Sequence, residues 1–124
     1  MIAAIEDLSK PTADSPVCLE IVLDRVGGDM DLLREITAIF LDEYPALLSE
    51  IRSAVQTGNP VLLETAAHTL KGSVANFGAE DATQAAYALE KAGRQREMQG
   101  TGVGLAVLET EFARLRPALL TWTA

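Results

Sequence analysis

The stretch Asn59–Gly78, NPVLLETAAHTLKGSVANFG, decides the fold. Asn59 followed by Pro60 is a strong helix start, because an Asn side chain caps the free N–H groups of a first turn and Pro suits the first helical position. Gly78 is a typical helix end. Between them, apolar residues recur at helical spacing along one stripe, and these are Leu63, Ala66, Ala67, Leu70, Val74 and Phe77.

Similar patterns on both sides of this stretch predict an all-α protein. Leu, Ala, Glu and Arg dominate, aromatic residues make up only 5% of the chain, and no segment keeps a strand period for long. Five helices are predicted. The first runs from Val17 to about Val26, and the second is a long helix capped by Asp29 and ended by Gly58. The third is Pro60–Phe77, the fourth begins at Ala79 and ends between Gly93 and Met98, and the fifth is Leu105–Leu120. The last four, joined by short connections, predict an antiparallel up-down four-helix bundle with a short extra N-terminal helix.

Three segments interrupt this pattern. Pro45 lies inside the long helix, which predicts a kink or break near Leu41–Tyr44. The glycine-rich segment Gln99–Gly104 is predicted to be a loop; it is not a dinucleotide-binding fingerprint, because no strand precedes it. Residues 1–16 contain two prolines among small polar residues, so they are predicted to be an irregular lead-in to a domain spanning 17–124.

The composition excludes several classes of function. The 124 residues fit one domain, and a net charge of −8 disfavours nucleic acid as a partner. One cysteine and one histidine cannot form an internal disulfide, a structural zinc site or a di-iron site. No apolar run approaches the roughly 20 residues of a membrane span, and the N-terminus lacks the features of a signal peptide. We therefore expect a cytoplasmic location and no contact with a membrane.

The only histidine, His68, is predicted to point away from the core. On a helical wheel it lies about 150° from the centre of the apolar stripe. Gly72 follows one turn later, although a glycine within a helix costs roughly 1 kcal/mol relative to alanine. On an outer face this glycine leaves space for a large group to approach the imidazole, and Lys71 places a cation within reach of a group on the ring. An ordinary solvated histidine is the alternative.

The segment Ala67–Ala79, AHTLKGSVANFGA, resembles the signature of histidine-containing phosphotransfer (HPt) domains, His-x-x-Lys-Gly followed by small residues and a glycine that ends the helix. The resemblance extends over roughly residues 17–120. It implies a four-helix bundle that stores a phosphoryl group on His68, with neutral His68 as the nucleophile. It also implies that Lys71 steadies the phosphoryl oxygens and that Gly72 clears room for a receiver domain.

Two further residues enter through the resemblance. Family members often place a polar residue on the next helix to orient the imidazole, and the matching position here is Glu90, where some members carry glutamine. The alternative is that Glu90 is a solvated helix glutamate. Arg94, one turn further on, either meets phosphate or stays in solvent.

The resemblance implies a phosphorelay intermediate that accepts the group from a receiver aspartate and passes it to another. The expected partners are receiver domains of response regulators or of a hybrid histidine kinase, which would bring the Mg²⁺; we expect this chain to be a monomer without a cofactor of its own. The sequence contains no ATP-binding motif, so we expect the chain to be a phosphoryl carrier and not an enzyme. Two alternatives stay open, a helical interaction module without chemistry and the phosphoacceptor domain of a larger histidine kinase. Met1 and a chain that ends after the last helix mildly favour a free-standing protein.

Overall fold

The computed structural model describes residues 16–123, and the regular secondary structure within them is entirely helical. The prediction of an all-α protein is therefore confirmed, whereas the predicted lead-in lies almost wholly outside the described residues. The five helices of the described part are α1 (Leu19–Arg25), α2 (Met30–Thr57), α3 (Pro60–Ala75), α4 (Glu80–Arg94) and α5 (Thr101–Thr121).

Local sequence signals place the start of both α2 and α3. The Asp29 side chain accepts hydrogen bonds from the backbone N–H groups of Asp31 and Leu32, and Asn59 accepts one from Leu62 at 3.1 Å. Gly58 adopts a left-handed conformation with φ of 67°, which ends α2 at little steric cost. These caps fix the register of α3, and with it the position of His68.

The four long helices pack around one core. Each contacts the next along the chain, and α5 returns to contact α2. At one end of the core the rings of Phe40, Tyr44, Phe77 and Phe112 form a cluster with centroid separations from 4.7 to 6.3 Å. The largest fully buried side chains include Leu33, Ile51, Leu63, Leu70, Leu89, Leu108, Leu115 and Leu119.

The short helix α1 closes one end of the bundle. The Cys18 backbone N–H donates to the Phe77 carbonyl at 3.0 Å, and Val22 is fully buried. Ile21 on the same helix is 40% exposed. The apolar residues of α1 therefore differ in their surroundings, since Val22 covers the core and Ile21 faces outward.

Of the kink or break predicted near Leu41–Tyr44, the break is absent, because α2 runs unbroken through Pro45, and the kink stays a prediction. A proline inside a helix costs about 3 kcal/mol, chiefly through one lost hydrogen bond and a clash with the preceding turn. Burying a large apolar side chain contributes about 1.5–3 kcal/mol. Tyr44 and Leu48, on either side of the proline, are both buried in the core, so packing offsets the local cost.

The prediction of a loop over Gln99–Gly104 is also wrong for its last four residues, because α5 begins at Thr101 and not at Leu105. Thr101 Oγ1 donates to the Met98 carbonyl at 2.6 Å just before the first turn. A Cβ placed on Gly104 would lie 2.9 Å from Leu89 Cδ2. The glycine therefore permits a close approach of α5 to α4, and this tertiary contact favours helix in a segment whose composition indicates a loop.

Candidate functional site

His68 lies in the middle of α3 with its side chain 67% exposed, as the helical wheel predicts. Gly72, one turn further on, is exposed as well, and no heavy atom of the described residues outside its own helix backbone lies within 4 Å of a Cβ built on it. The surface beside the imidazole is thus open. A second protein can approach the ring there without meeting a side chain at position 72.

Glu90 reaches His68 from the neighbouring helix α4. Its side chain is only 3% exposed, and Oε2 lies 3.0 Å from His68 Nδ1. A carboxylate can only accept in this contact, so Nδ1 carries the proton, and in a neutral ring the lone pair is then on Nε2. The alternative that Glu90 is a solvated helix glutamate is wrong.

Two cations also contact the same carboxylate. Lys71 Nζ lies 2.7 Å from Oε1, in an ion pair held by charge without an aligned hydrogen bond. Arg94 Nη2 donates to Oε2 at 2.6 Å. The Arg94 side chain is 51% exposed, but it is an ion-pair partner and does not simply extend into solvent. Glu90 is therefore the group that brings His68, Lys71 and Arg94 together.

The pKa of the Glu90 carboxyl lies below its usual value as the result of opposing effects. Burial, the largest single effect, raises the pKa because it disfavours the charged form. Contacts and charge from Lys71 and His68 lower it, and together they outweigh burial. The carboxylate is therefore ionised at neutral pH although its side chain is only 3% exposed.

Sequence reasoning missed two residues that complete this network. Glu64 Oε2 lies 3.4 Å from Arg94 Nε, and the Tyr87 ring centroid lies 5.1 Å from Lys71 Nζ, which is cation–π distance. Helical spacing offered a signal for both, because Glu64 precedes His68 by four residues and Tyr87 precedes Glu90 by three. Each residue contacts one of the two cations and limits its freedom.

The charges of this network balance. Leaving His68 aside, Lys71 and Arg94 carry two positive charges, and Glu64 and Glu90 carry two negative charges. Beside the imidazole lies an open cleft of about 460 Å³ lined by Glu64, Thr65, His68, Thr69, Glu90 and Arg94. In a chain with a net charge of −8, this locally neutral region offers cations to an arriving anionic group.

No group of three or more His, Cys, Asp and Glu side chains within residues 16–123 is arranged to hold a metal ion. In the same part of the chain, no helix has the length and apolar character needed to cross a membrane.

A helical bundle that presents an exposed imidazole, fixed in one tautomer beside two cations, has the features of a histidine phosphoryl carrier. Comparison with known proteins agrees, because the model of the Hpt domain family matches residues 35–118. The chain belongs to this family. It is also similar to the phosphorelay protein LuxU of Vibrio harveyi, at 27% identity over 100 residues that cover 80% of this chain and 85% of the relative. No solved structure matches the chain significantly.

Proposed function

We propose that this chain is a phosphorelay intermediate of two-component signalling, in which His68 accepts a phosphoryl group from a receiver aspartate and passes it to another receiver. The observation that carries the proposal is the hydrogen bond between His68 Nδ1 and Glu90 in a ring that is otherwise exposed. It supports Nε2 as the nucleophile, because that nitrogen keeps its lone pair and faces the open surface.

In the proposed step, Nε2 of His68 attacks the phosphorus of an aspartyl phosphate. The N–P bond forms as the bond from phosphorus to the aspartyl oxygen breaks, and the aspartate leaves as a carboxylate. Nδ1 keeps its proton throughout and donates it in the hydrogen bond to Glu90, and the Glu90 carboxylate stabilises the positive charge that develops on the ring. The reverse reaction with a second receiver returns His68 to its starting state.

Lys71 and Arg94 supply positive charge at the position that the phosphoryl group would take. Phosphoryl transfer depends chiefly on positioning and on stabilising charge on the oxygens. Both cations already lie within 3 Å of Glu90. A rotation of their side chains would therefore bring them to phosphoryl oxygens without a change in the backbone.

The other predicted properties extend this proposal. Residues 17–124 form one domain with the four long helices running antiparallel, up and down, and the protein works as a cytoplasmic monomer. Contacts between α2 and α5 support this direction, because Arg116 donates a hydrogen bond to the Tyr44 hydroxyl while Arg52 forms an ion pair with Glu109. The chain is a carrier without an ATP site, and the receiver supplies the acidic pocket and Mg²⁺.

The receiver would dock on the face that carries His68 and Gly72 on α3 and Asn76 at the C-terminal cap of that helix, which are spaced four residues apart. This face leads into a groove of about 350 Å³ between α1, α2 and α3. The groove is lined by apolar side chains that include Val22, Ile39 and Phe40 and by polar ones that include Arg25 and Glu43. An apolar centre with a polar rim is typical of a transient protein interface. With a receiver pocket that is itself acidic, docking would depend on such contacts more than on long-range attraction.

The test is transfer of labelled phosphate from a phosphorylated receiver domain to the purified chain. We expect the label to move from the phosphorylated receiver to the wild-type chain and from there to a second receiver. We expect no label on His68→Gln. Equal labelling of His68→Gln, or no labelling by any of a panel of receivers, would favour the helical interaction module.

Incubation with ATP and Mg²⁺ alone addresses the remaining alternative. We expect no labelling by ATP, because the chain has no nucleotide-binding motif. Labelling by ATP only after a separate histidine kinase catalytic domain is added, with none from receivers, would instead favour the phosphoacceptor domain of a kinase.

A further inference from the structure

Gly93, in the last turn of α4, lies against the backbone of α3. A Cβ built on it would lie 2.7 Å from the Glu64 backbone nitrogen, 2.7 Å from the Pro60 carbonyl oxygen and 3.0 Å from Glu64 Cα. All three are main-chain atoms of the first turns of α3, so none can rotate away as a side chain can. Glycine is among the poorest helix formers, and here its lack of a side chain allows two helix backbones to touch.

This contact lies one turn from the His68–Glu90 hydrogen bond. Gly93 follows Glu90 by three residues on α4, and Glu64 precedes His68 by four residues on α3. The two helices run in opposite directions at this point, because Glu90 contacts His68 while Gly93 contacts the earlier residue Glu64. The separation of the helices at Gly93 therefore controls how far Glu90 can reach.

We propose that Gly93 is a positioning residue for the phosphoryl carrier. The absence of a side chain at this position sets the α3–α4 separation at which Glu90 hydrogen-bonds His68 and selects its Nδ1–H tautomer. Gly93 acts through Glu90 and does not contact the phosphoryl group. The effect on phosphoryl transfer rests on the proposed function, whereas the effect on the imidazole does not.

From these distances we expect a single methyl group to break the His68–Glu90 hydrogen bond. Ordinary contact begins at 3.4 Å, and a Cβ on Gly93 would start at 2.7 Å, so the backbones must separate by about 0.7 Å. The same displacement at Glu90 would lengthen the 3.0 Å contact with His68 to about 3.7 Å, which is beyond hydrogen-bond distance.

The first test is the tautomer of the His68 ring in Gly93→Ala, measured from its ¹⁵N chemical shifts. We expect the wild-type ring to be almost entirely the Nδ1–H form and the variant to show a mixture of tautomers. Gly104→Ala is the matched control, because its Cβ would meet only the Leu89 side chain, which can shift. We expect that control to keep the wild-type shifts. A folded Gly93→Ala variant with the wild-type tautomer would overturn the proposal.

A second variant keeps the test decisive if Gly93→Ala fails to fold. Glu90→Asp withdraws the carboxylate by one C–C bond, about 1.5 Å, without adding any atom to the helix interface. If distance to the carboxylate sets the tautomer, Glu90→Asp should show the same mixture of forms. An unchanged tautomer in Glu90→Asp would contradict the proposal.

The third measurement is the rate of transfer from a phosphorylated receiver in a double-mutant cycle. We expect Gly93→Ala to slow transfer about tenfold in the wild-type background, since a displacement of 1 Å can cost up to a hundredfold. In a Glu90→Ala background, the same change should slow transfer less than twofold. Equal slowing in both backgrounds would show that Gly93 does not act through Glu90. If the wild-type chain accepts no phosphoryl group, the proposed function fails. The ¹⁵N chemical shifts of the His68 ring would still decide whether Gly93 positions Glu90.

Discussion

Replacing Glu90 by glutamine removes one negative charge from the site and keeps the size of the side chain. The amide oxygen can still accept the Nδ1–H hydrogen bond of His68. The charge that holds Lys71 and Arg94 is lost, and the amide N–H₂ group faces at least one of these cations. This variant therefore separates the electrostatic role of Glu90 from its role as a hydrogen-bond acceptor.

The exposure of the two cations decides how much stability is lost. Breaking a fully buried ion pair costs about 3–5 kcal/mol, and an exposed pair contributes about 1 kcal/mol or less. The carboxylate is 3% exposed, but Lys71 and Arg94 are 27% and 51% exposed and can turn toward water. We expect Glu90→Gln to lower the free energy of unfolding by about 1–2 kcal/mol at pH 7, between these limits.

Urea unfolding followed by far-UV circular dichroism measures this change. Glu64→Gln is the control, because Glu64 pairs with the same Arg94 but its side chain is 41% exposed, and its loss should be below about 0.5 kcal/mol. A loss for Glu90→Gln no larger than that of the control would refute the view that the buried carboxylate holds the cations. A loss above about 4 kcal/mol would refute the view that they relax into solvent.

Three other predictions concern the same site. Gly72→Gln should keep the helical circular dichroism signal and raise stability by about 0.5–1 kcal/mol, yet slow transfer from a receiver at least tenfold; unchanged transfer would contradict the role of open space. Lys71→Ala should fold and slow transfer about 10- to 100-fold, measured as single-turnover rates, whereas the exposed Lys91→Ala should keep the wild-type rate. Because the folded pKa of Glu90 lies below its unfolded value, its stabilisation is complete above about pH 4.3 and is lost as the pH falls through the folded pKa. The stability difference between wild type and Glu90→Gln should therefore shrink on acidification, and a difference that grows would contradict this sign.

Local sequence signals were enough to place His68. The caps at Asp29 and Asn59 and the left-handed Gly58 depend on side chains and backbone preferences within a few residues, so they can be read without a fold. The same holds for the exposure of His68 and Gly72, which follows from helical periodicity once the apolar stripe is known.

The parts that the sequence did not predict depend on tertiary contacts. The burial of Glu90 depends on the packing of α4 against α3, and periodicity within α4 alone cannot distinguish a covered glutamate from a solvated one. The local preferences of Pro45 for a break and of the glycines after Gly100 for a loop also gave wrong predictions, because tertiary contacts override them. Packing of Tyr44 and Leu48, and of Gly104 against Leu89, outweighs the local preference for a break or a loop.

The central claim is that His68 carries the phosphoryl group, and mass spectrometry of the intact and digested chain tests it most directly. The chain, phosphorylated by a receiver, would be kept at neutral to alkaline pH, where phosphohistidine survives and aspartyl phosphate hydrolyses. Since His68 is the only histidine in the sequence, we predict one added phosphate, lost on brief acid treatment, on the peptide that contains His68. A phosphate that survives acid, or one on a peptide without His68, would contradict the account.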